Sequence, residues 1–437
     1  MRARSRASWA ERWSPLNATE LRELADDCVH CGFCLPACPT YVLWGREADS
    51  PRGRIYLMKA ALEQRTTIDS HFMRHIDACL GCMGCLTACP SGVQYDRLIE
   101  STRPELEQHG PPRSIVDRVY RAMLFAILPH PRRLRWVERA LRFAQRSGLQ
   151  QMIRRSGLPT RLPARLAALE RLTPPLSSGG APTIPAVTPA VGAKRRRVAL
   201  LLGCVQRVFF PGVNAATARV LAAEGCEVVA PPGQECCGAL MLHAGRIEEA
   251  RAAARRLIDV IDRAGVDVVA INAAGCGSAM KEYGELLRDD PQYAAKATAF
   301  AARCRDVSEI LADLEPRAER HPLRLRVAYH DACHLNHAQR IKRQPREVLR
   351  TIPGLEVCDI GEPDLCCGSA GVYNLLEPDA ATALRDRKVR HVAATGADVL
   401  ASSNPGCLLQ IASGLEAQGK PMRTMHFVEL LDSSISR

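Results

Sequence analysis

Residues 28–39 read Cys28-Val29-His30-Cys31-Gly32-Phe33-Cys34-Leu35-Pro36-Ala37-Cys38-Pro39, four cysteines spaced C-x2-C-x2-C-x3-C-P. Residues 79–90 repeat that spacing as Cys79-Leu80-Gly81-Cys82-Met83-Gly84-Cys85-Leu86-Thr87-Ala88-Cys89-Pro90. In two-cluster ferredoxins the first three cysteines of such a run bind one 4Fe–4S cluster, and the fourth binds the other cluster. We therefore predict a first cluster bound by Cys28, Cys31, Cys34 and Cys89. A second cluster is predicted at Cys79, Cys82, Cys85 and Cys38.

Zinc and disulfides are the competing interpretations of these cysteines. Zinc sites usually use separate C-x2-C pairs rather than runs of four, so they fit the spacing less well. The N-terminal sequence Met1-Arg2-Ala3-Arg4-Ser5-Arg6 leads into no apolar signal segment. We therefore expect a cytoplasmic protein, in which clustered cysteines bind metal rather than form disulfides.

The composition narrows the class of protein. A chain of 437 residues predicts two or three domains, and no apolar run is long enough for a membrane-spanning helix. The net charge of +12 would suit nucleic acid, an anionic membrane or an acidic protein. Only 5% of the residues are aromatic and no nucleic-acid-binding motif is present, so we expect no nucleic-acid partner.

The middle of the chain is helical in pattern and rich in arginine. Residues 132–146 place apolar side chains between arginines at helical spacing, which fits either a helix on a membrane surface or a packed helix with a solvated basic face. Residues 173–193 contain five prolines and three glycines and predict a flexible or extended linker.

The remainder of the chain is an internal duplication. In the first copy, 31 residues separate Cys204 from Cys236, and 38 separate Cys237 from Cys276. In the second copy the corresponding gaps are 32 and 39 residues, between Cys333, Cys366, Cys367 and Cys407. Two sets of four cysteines that agree to one residue over such gaps indicate a repeated domain.

Each of these cysteines follows a predicted strand or its loop. Strands are predicted at residues 198–203, 226–230, 267–272, 325–330, 355–360 and 398–402. Alternation with helices predicts parallel sheets, whose carboxyl ends bind ligands, so each copy should bring four thiols to one edge. These eight cysteines are candidates for a further iron–sulfur centre, or for a bare redox-active thiol site.

The predicted fold class is α+β: an α-helical, ferredoxin-like domain with two 4Fe–4S clusters, followed by two duplicated α/β cysteine-rich domains. The predicted boundaries are 1–100 for the ferredoxin-type domain, 101–172 for the basic helical segment, 173–197 for the linker, and 198–320 and 321–437 for the two repeats.

Several further residues are candidates for supporting roles. Arg52 and Arg54, at a predicted helix start, would hydrogen-bond cluster sulfurs or the backbone around them, or would simply be exposed. His330, His334 and His337 surround Cys333 and would donate to sulfur, carry a proton or contact a quinone, or serve only as loop residues. Buried, inert thiols are expected at Cys226, Cys304 and Cys358.

With these motifs in view, the chain resembles the iron–sulfur subunit of glycolate oxidase. The resemblance is carried by residues 28–34, by Pro51-Arg52-Gly53-Arg54-Ile55-Tyr56-Leu57, by His330-Asp331-Ala332-Cys333-His334-Leu335 and by Leu365-Cys366-Cys367-Gly368-Ser369-Ala370-Gly371. The motif order is shared with electron-transfer subunits of anaerobic glycerol-3-phosphate dehydrogenase, lactate-utilisation proteins and heterodisulfide reductase. Unlike heterodisulfide reductase relatives, the repeats lack a C-x2-C at Cys276 and Cys407, which leaves the nature of their centre open.

The resemblance implies an oxidoreductase subunit that transfers electrons. FAD-containing partner subunits would oxidise glycolate to glyoxylate, or D-lactate to pyruvate, and this chain would carry no flavin. It would pass electrons towards a quinone or another membrane acceptor, with a location in the cytoplasm or peripheral on the inner face of the cytoplasmic membrane. The alternative is a disulfide- or quinone-reducing subunit with its own active site in the repeats, for which the candidate catalytic residues are Cys236, Cys237, Cys366, Cys367 and His334.

Overall fold

The N-terminal part of the chain is helical in the structure, a computed structural model that describes residues 18–176 and 182–435. Its elements are α1 (Ala18–Asp26), α2 (Pro39–Trp44), a 3₁₀ turn (Glu47–Asp49), α3 (Pro51–Leu62), α4 (Ser70–Asp77), α5 (Gly84–Ala88) and α6 (Tyr95–His109). Side chains cap two of these helices: Ser50 Oγ accepts from the Gly53 N–H at 3.0 Å, and an Asp69 carboxylate oxygen accepts from the Phe72 N–H at 2.9 Å. The cysteine-bearing loops lie between these short helices.

Five helices follow: α7 (Ile115–Ile127), α8 (Pro131–Arg146), α9 (Leu149–Arg155), α10 (Leu158–Arg161) and α11 (Ala164–Arg171). Ser114 caps α7, and Pro131 occupies the first turn of α8, where its missing N–H costs nothing. Tyr120 and Leu124 of α7 are buried with Ala168 of α11 and Leu375 from the second repeat. The segment therefore packs on the body of the protein through one face.

The first repeat is an α/β domain around a five-stranded sheet of order β1-β3-β2-β4-β5. Its elements are β1 (Val187–Thr188), β2 (Arg196–Leu200), α12 (Val205–Phe209), α13 (Pro211–Ala223), β3 (Cys226–Val229), α14 (Ala239–His243), α15 (Ile247–Asp262), β4 (Val268–Ile271), α16 (Ala274–Lys281), α17 (Tyr283–Leu286), α18 (Ala294–Arg303), β5 (Cys304–Asp306) and α19 (Val307–Asp313). All pairings are parallel except that of β1 with β3.

The second repeat has the same plan, with a parallel sheet of order β7-β6-β8-β9 that matches β3-β2-β4-β5 of the first. Its elements are β6 (Leu325–His330), a π-helical turn (His334–Ala338), α20 (Gln344–Arg350), β7 (Leu355–Asp359), α21 (Tyr373–Leu376), α22 (Pro378–Ala394), β8 (Val399–Ser402), α23 (Pro405–Ala417), β9 (Arg423–His426) and α24 (Phe427–Ile435). The predicted fold class, a helical ferredoxin-like part followed by two parallel-sheet repeats, is confirmed.

The two repeats share one apolar core. Helix α13 packs against α24, and α19 packs against α20, so that Leu221 and Val198 are buried in the same cluster as Val327 and Leu431. Burial of such side chains contributes about 1.5–3 kcal/mol each, which makes the repeats one cohesive body. This arrangement holds the two cysteine-rich sheet edges in a fixed relation.

The sequence did not predict three of the strands. β5 and β9 are only three and four residues long, so they carry almost no periodic signal. β1 lies inside the predicted linker, 173–197, and pairs with β3 as the edge strand, so this part of the linker is docked on the sheet. Residues 177–181 of that linker lie outside the described part of the chain. Within the described residues, no helix combines the length and apolar character needed to cross a membrane.

Candidate functional site

The first predicted set of thiols surrounds one small cavity at the surface of the N-terminal domain. Cys28, Cys31, Cys34 and Cys89 all line it, and Cys31 is exposed. Burial raises the pKa of Cys28, and the nearby Cys89 and Cys31 raise it further. A positively charged iron–sulfur core between these thiols would stabilise their thiolate forms. Helices α3 and α5 both pack against α6, and Cys89, directly after α5, meets the three thiols of the preceding run.

The second predicted set is buried deeper. Cys38, Cys79, Cys82 and Cys85 are each less than a tenth exposed. Burial raises the pKa of Cys85 well above its ordinary value, and Cys82, Cys79 and Cys38 add to the effect, in that order. The four thiols therefore form one group, in which Cys38 joins the three thiols of the later run, as the ferredoxin pattern predicts.

Arg54 is the charged partner of this deeper group. It is 1% exposed, and its Nη1 lies 3.9 Å from Cys38 Sγ. Its Nε donates to the His75 carbonyl at 2.7 Å, and its Nη2 donates to Thr40 Oγ1 at 3.0 Å. Although burial raises the pKa of the Cys79 thiol, Arg54 and then Arg103 outweigh that effect and lower it. Arg54 is thus a buried cation next to two candidate ligands.

Arg52 behaves differently from Arg54. Its Nη1 donates to the His30 carbonyl at 2.8 Å and its Nε donates to a Glu47 carboxylate oxygen at 2.6 Å, at the protein surface. It therefore supports the backbone between Cys28 and Cys31, whereas Arg54 faces sulfur directly.

Both groups fit a 4Fe–4S cluster. Each brings four thiols together, the donor set that such clusters prefer, and His30 lies beside the first group. Cys79 Sγ accepts from the Gly81 N–H at 3.4 Å and from the Tyr95 hydroxyl at 3.5 Å, contacts that stabilise a thiolate. His30 and Met83 adopt positive φ angles of 54° and 62°, which bend the chain between successive thiols.

In the first repeat, Cys204, Cys236, Cys237 and Cys276 converge at the carboxyl edge of the sheet. The hydrogen bond with Cys236, followed by burial, raises the pKa of Cys204 well above its ordinary value. Gly238 has a φ of +88°, and a Cβ there would lie 3.1 Å from the Ala250 carbonyl oxygen. Glycine is therefore required for the sharp bend after the paired cysteines.

The second repeat reproduces this edge with Cys333, Cys366, Cys367 and Cys407. Cys333 Sγ lies 3.8 Å from Cys366 Sγ, and Gly368 has the same φ of +88°.

A histidine lies within this second group. The ligand atoms of His330, Cys367 and Cys407 all lie within 4.8 Å of one another, a spacing that suits a metal centre. Burial, and then the charge of Lys388, lowers the pKa of His330 to about 3, so its imidazole is neutral and can bind metal.

One cavity of about 160 Å³ lies between the two repeats, lined by thiols of both copies. His243 and His334 meet there edge to face, with ring centroids 4.7 Å apart. Burial, then His337 and Arg103, lowers the pKa of His334 to about 4. Nδ1 of His243 and Nε2 of His334 are buried without a hydrogen-bond partner among the described residues. The cavity thus combines neutral imidazoles that are free to bind with nearby thiols.

The deeper ferredoxin group adjoins this cavity. Cys82 is buried in one cluster with Cys333 and Cys366, and after burial itself Cys333 is the main group that raises its pKa. Thr87 Oγ1 lies 2.6 Å from His337 Nδ1, and His337 Nε2 lies 2.9 Å from the Asp364 carbonyl. A carbonyl only accepts, so Nε2 carries the proton and the Thr87 hydroxyl donates to Nδ1. These contacts join the ferredoxin part to the second repeat.

The sequence singled out His334, which lines the cavity, but missed His243, Arg103 and Thr87. The position of His243, six residues after Cys237 at the end of α14, was the available signal. The three cysteines expected to be inert lie outside all four groups, with Cys226 and Cys304 buried in strands and Cys358 half-buried.

Three known families match the chain, over four stretches. Residues 24–93 match "4Fe-4S dicluster domain", residues 116–173 match "Glycolate oxidase iron-sulfur subunit, linker region", and residues 198–281 and 327–412 match "Cysteine-rich domain". The "Probable glycolate oxidase iron-sulfur subunit" of Bacillus subtilis is 38% identical over 94% of this chain and 95% of its own length. The "Glycolate oxidase iron-sulfur subunit" of Escherichia coli is 35% identical over 96% of both chains. The chain belongs to the glycolate oxidase iron–sulfur subunit family.

Some relatives with other names match about half of the chain. "Lactate utilization protein A" of Halalkalibacterium halodurans is 31% identical over 54% of this chain and 96% of its own length. The membership confirms the resemblance drawn from the motifs, and with it the prediction of an iron–sulfur subunit of an oxidoreductase.

Proposed function

We propose that this chain carries electrons from a flavin-containing subunit that oxidises glycolate, or D-lactate, to a quinone or another membrane acceptor. The family name supports glycolate as the substrate of the complex. On this proposal the oxidation of the substrate takes place on the partner, which holds the FAD, and this chain works at the inner face of the cytoplasmic membrane.

The ligand sets follow from the two groups of thiols. Cys28, Cys31, Cys34 and Cys89 would hold one 4Fe–4S cluster, and Cys79, Cys82, Cys85 and Cys38 the other. When bound, such clusters supply one-electron transfer. The chain itself excludes water from the second set by burial, and Arg54 stabilises its negative charge. The first set, with its exposed Cys31, is suited to face the partner subunit.

The observation that carries the proposal is a continuous line of thiols. It runs from the surface at Cys31 through the buried Cys85 and Cys82 to Cys333 and Cys366 beside the cavity between the repeats. We propose that the eight repeat cysteines hold a further iron–sulfur centre at this end of the line. The acceptor would be reduced in the cavity, where the His243 and His334 imidazoles hydrogen-bond its oxygens.

A second candidate function is a disulfide- or thiol-based reduction in the repeats themselves. The 3.8 Å distance between Cys333 Sγ and Cys366 Sγ favours this function, because two thiols so near each other need only a small movement to form a disulfide. Cys236, Cys237, Cys366, Cys367 and His334 would then be catalytic.

Anaerobic reduction of the complex by glycolate tests the proposal. In the complex with its flavin subunits, glycolate should reduce both 4Fe–4S clusters, and the signals of the two reduced clusters should appear in the electron paramagnetic resonance (EPR) spectrum. Cys82→Ser should abolish or alter one of them, whereas Cys226→Ser, a buried thiol outside every group, should change neither. Clusters that form but stay oxidised when glycolate is added would refute the assignment of the electron donor.

A further inference from the structure

The segment that joins the ferredoxin part to the repeats carries an unusual surface. Of the seventeen large apolar side chains that the described residues leave exposed, eleven lie between residues 115 and 166. Trp136 and Phe143 of α8 are 69% and 70% exposed. Single exposed apolar residues are ordinary, but a concentration of this kind in one segment marks an interaction surface.

The exposed row of α8 alternates arginine with aromatic residues. Positions 132, 136, 139, 143 and 146 recur at intervals of four and three residues and therefore lie on one face of the helix. All five side chains are exposed: Arg132, Trp136, Arg139, Phe143 and Arg146. We call this row the α8 stripe. The opposite face is anchored by the buried Leu134.

The charge of α8 is strongly positive. The helix contains six arginines and one acidic residue, Glu138, which pairs with Arg142 on the inner side. Arg139 lies over the Trp136 ring, 5.1 Å from its centroid, so cation and aromatic ring form one unit. Tryptophan, phenylalanine and arginine at neighbouring positions are the composition of helices that lie in the interface of an anionic bilayer.

The apolar surface continues beyond α8. Val119, Met123 and Ala126 form an exposed row on α7. Arg133 donates to the Ala126 carbonyl at 2.7 Å and joins that row to the start of α8. Exposed apolar residues in this segment are therefore not confined to α8.

We infer that the α8 stripe docks this protein on anionic phospholipid, with the arginines at phosphates and the aromatic rings at the acyl boundary. Helix α8 packs on α12, whose Val205 and Gln206 line the cavity between the repeats. Docking through α8 thus brings this cavity close to the bilayer, where a lipid-soluble acceptor is dissolved. The inference rests on the proposed function only for the nature of that acceptor.

Vesicle binding by the full chain tests the inference. Wild-type protein should bind phosphatidylcholine vesicles that contain phosphatidylglycerol and not those of phosphatidylcholine alone, and salt should weaken the binding. Each arginine near an anionic surface contributes about fivefold, so Arg132→Gln/Arg139→Gln/Arg146→Gln should lower the partition coefficient roughly 100-fold. Trp136→Ala/Phe143→Ala should lower it at least about tenfold.

A matched control has the same change in charge. Arg22→Gln/Arg256→Gln/Arg343→Gln replaces three exposed arginines elsewhere and should leave binding within about threefold of wild type. Equal thermal unfolding of the variants shows that they are folded. Tryptophan fluorescence should shift to shorter wavelength when wild-type protein is added to the vesicles, and this shift should be lost in Trp136→Ala.

Two results would overturn the inference. One is an absence of wild-type binding to the anionic vesicles, or stripe variants that bind as well as the control. The other is stripe variants that bind vesicles normally but lose the flavin subunits on purification, which would make an acidic protein the occupant. Neither result changes the reduction of the clusters by glycolate in the wild-type complex, so a failed docking test stays distinct from a failed proposed function.

Discussion

Replacement of Arg54 by glutamine should lower the reduction potential of the deeper cluster. Arg54 is buried with its Nη1 3.9 Å from Cys38 Sγ, so its charge favours the reduced, more negative state. With a distance on the order of 6 Å to the cluster centre and an effective dielectric constant of about 20, Coulomb's law gives about 3 kcal/mol. For a one-electron couple this energy corresponds to about 120 mV, because a tenfold change is about 59 mV.

Asp49 makes the expected fall in reduction potential smaller. Its carboxylate lies 3.8 Å from the Arg54 guanidinium and 2.7 Å from His75 Nδ1, so it offsets part of the positive charge. We therefore expect a fall of about 50–100 mV in Arg54→Gln. Arg54→Lys keeps the charge but loses the two hydrogen bonds to His75 and Thr40. The reduction potential of the deeper cluster in this variant should stay close to that of wild type.

An anaerobic redox titration followed by EPR measures both clusters in one sample. Arg52→Gln is the matched control, because Arg52 is partly exposed, pairs with Glu47 and lies near the other set of thiols. It should shift the first cluster by less than about 30 mV and leave the second unchanged. An Arg54→Gln protein that assembles both clusters with unchanged potentials, or with a raised second potential, would refute the reasoning.

Three further outcomes are expected. Thr87→Val removes the hydroxyl that donates to His337, so the free energy of unfolding should fall by about 1 kcal/mol in denaturant titrations. An unchanged value would mean that this hydrogen bond does not stabilise the contact between the ferredoxin part and the second repeat. Burial, and then Asp96, raises the pKa of Glu100 to about 8, so its protonated form is favoured in the fold and its contribution to stability is lost as the pH rises through 8. Glu100→Gln should therefore be more stable than wild type by about 2 kcal/mol at pH 9 but not at pH 5, with no such gain in thermal melts of the exposed Glu248→Gln. Removal of iron by a chelator should expose residues 24–93 to proteolysis while the repeats resist. The reason is that the short helices of residues 24–93 enclose two sets of thiols rather than a large core. Equal resistance of both parts would contradict this.

The local patterns were readable from the sequence. Parallel strands such as Arg196–Leu200 and Leu325–His330 contain apolar runs that alternate with helices, and this alternation predicts parallel pairing. The two sets of four ferredoxin cysteines could be grouped because their spacing restricts how a chain folds around a cluster. Short strands such as Cys304–Asp306 could not be predicted, because three residues carry no period.

The contacts between distant parts of the chain could not be predicted from the sequence. Thr87 and His337 are 250 positions apart, and no local pattern relates them. The same holds for Cys82 beside Cys333, and for His243, whose significance appears only when the two repeats close over one cavity. The basic face of α8 was visible as a pattern, but only its exposure in the folded chain separates a docking surface from a packed helix.

Reoxidation of the reduced clusters tests most directly whether electrons leave through the second repeat. In the intact complex, reduced by glycolate and mixed with a quinone in a stopped-flow spectrometer, the ferredoxin clusters of Cys333→Ser/Cys366→Ser should still be reduced. Their reoxidation should be at least about 100-fold slower than in wild type, because the last step of the path is missing. Cys358→Ser, outside every thiol group, should reoxidise at the wild-type rate. Rapid reoxidation in Cys333→Ser/Cys366→Ser would contradict the proposed path.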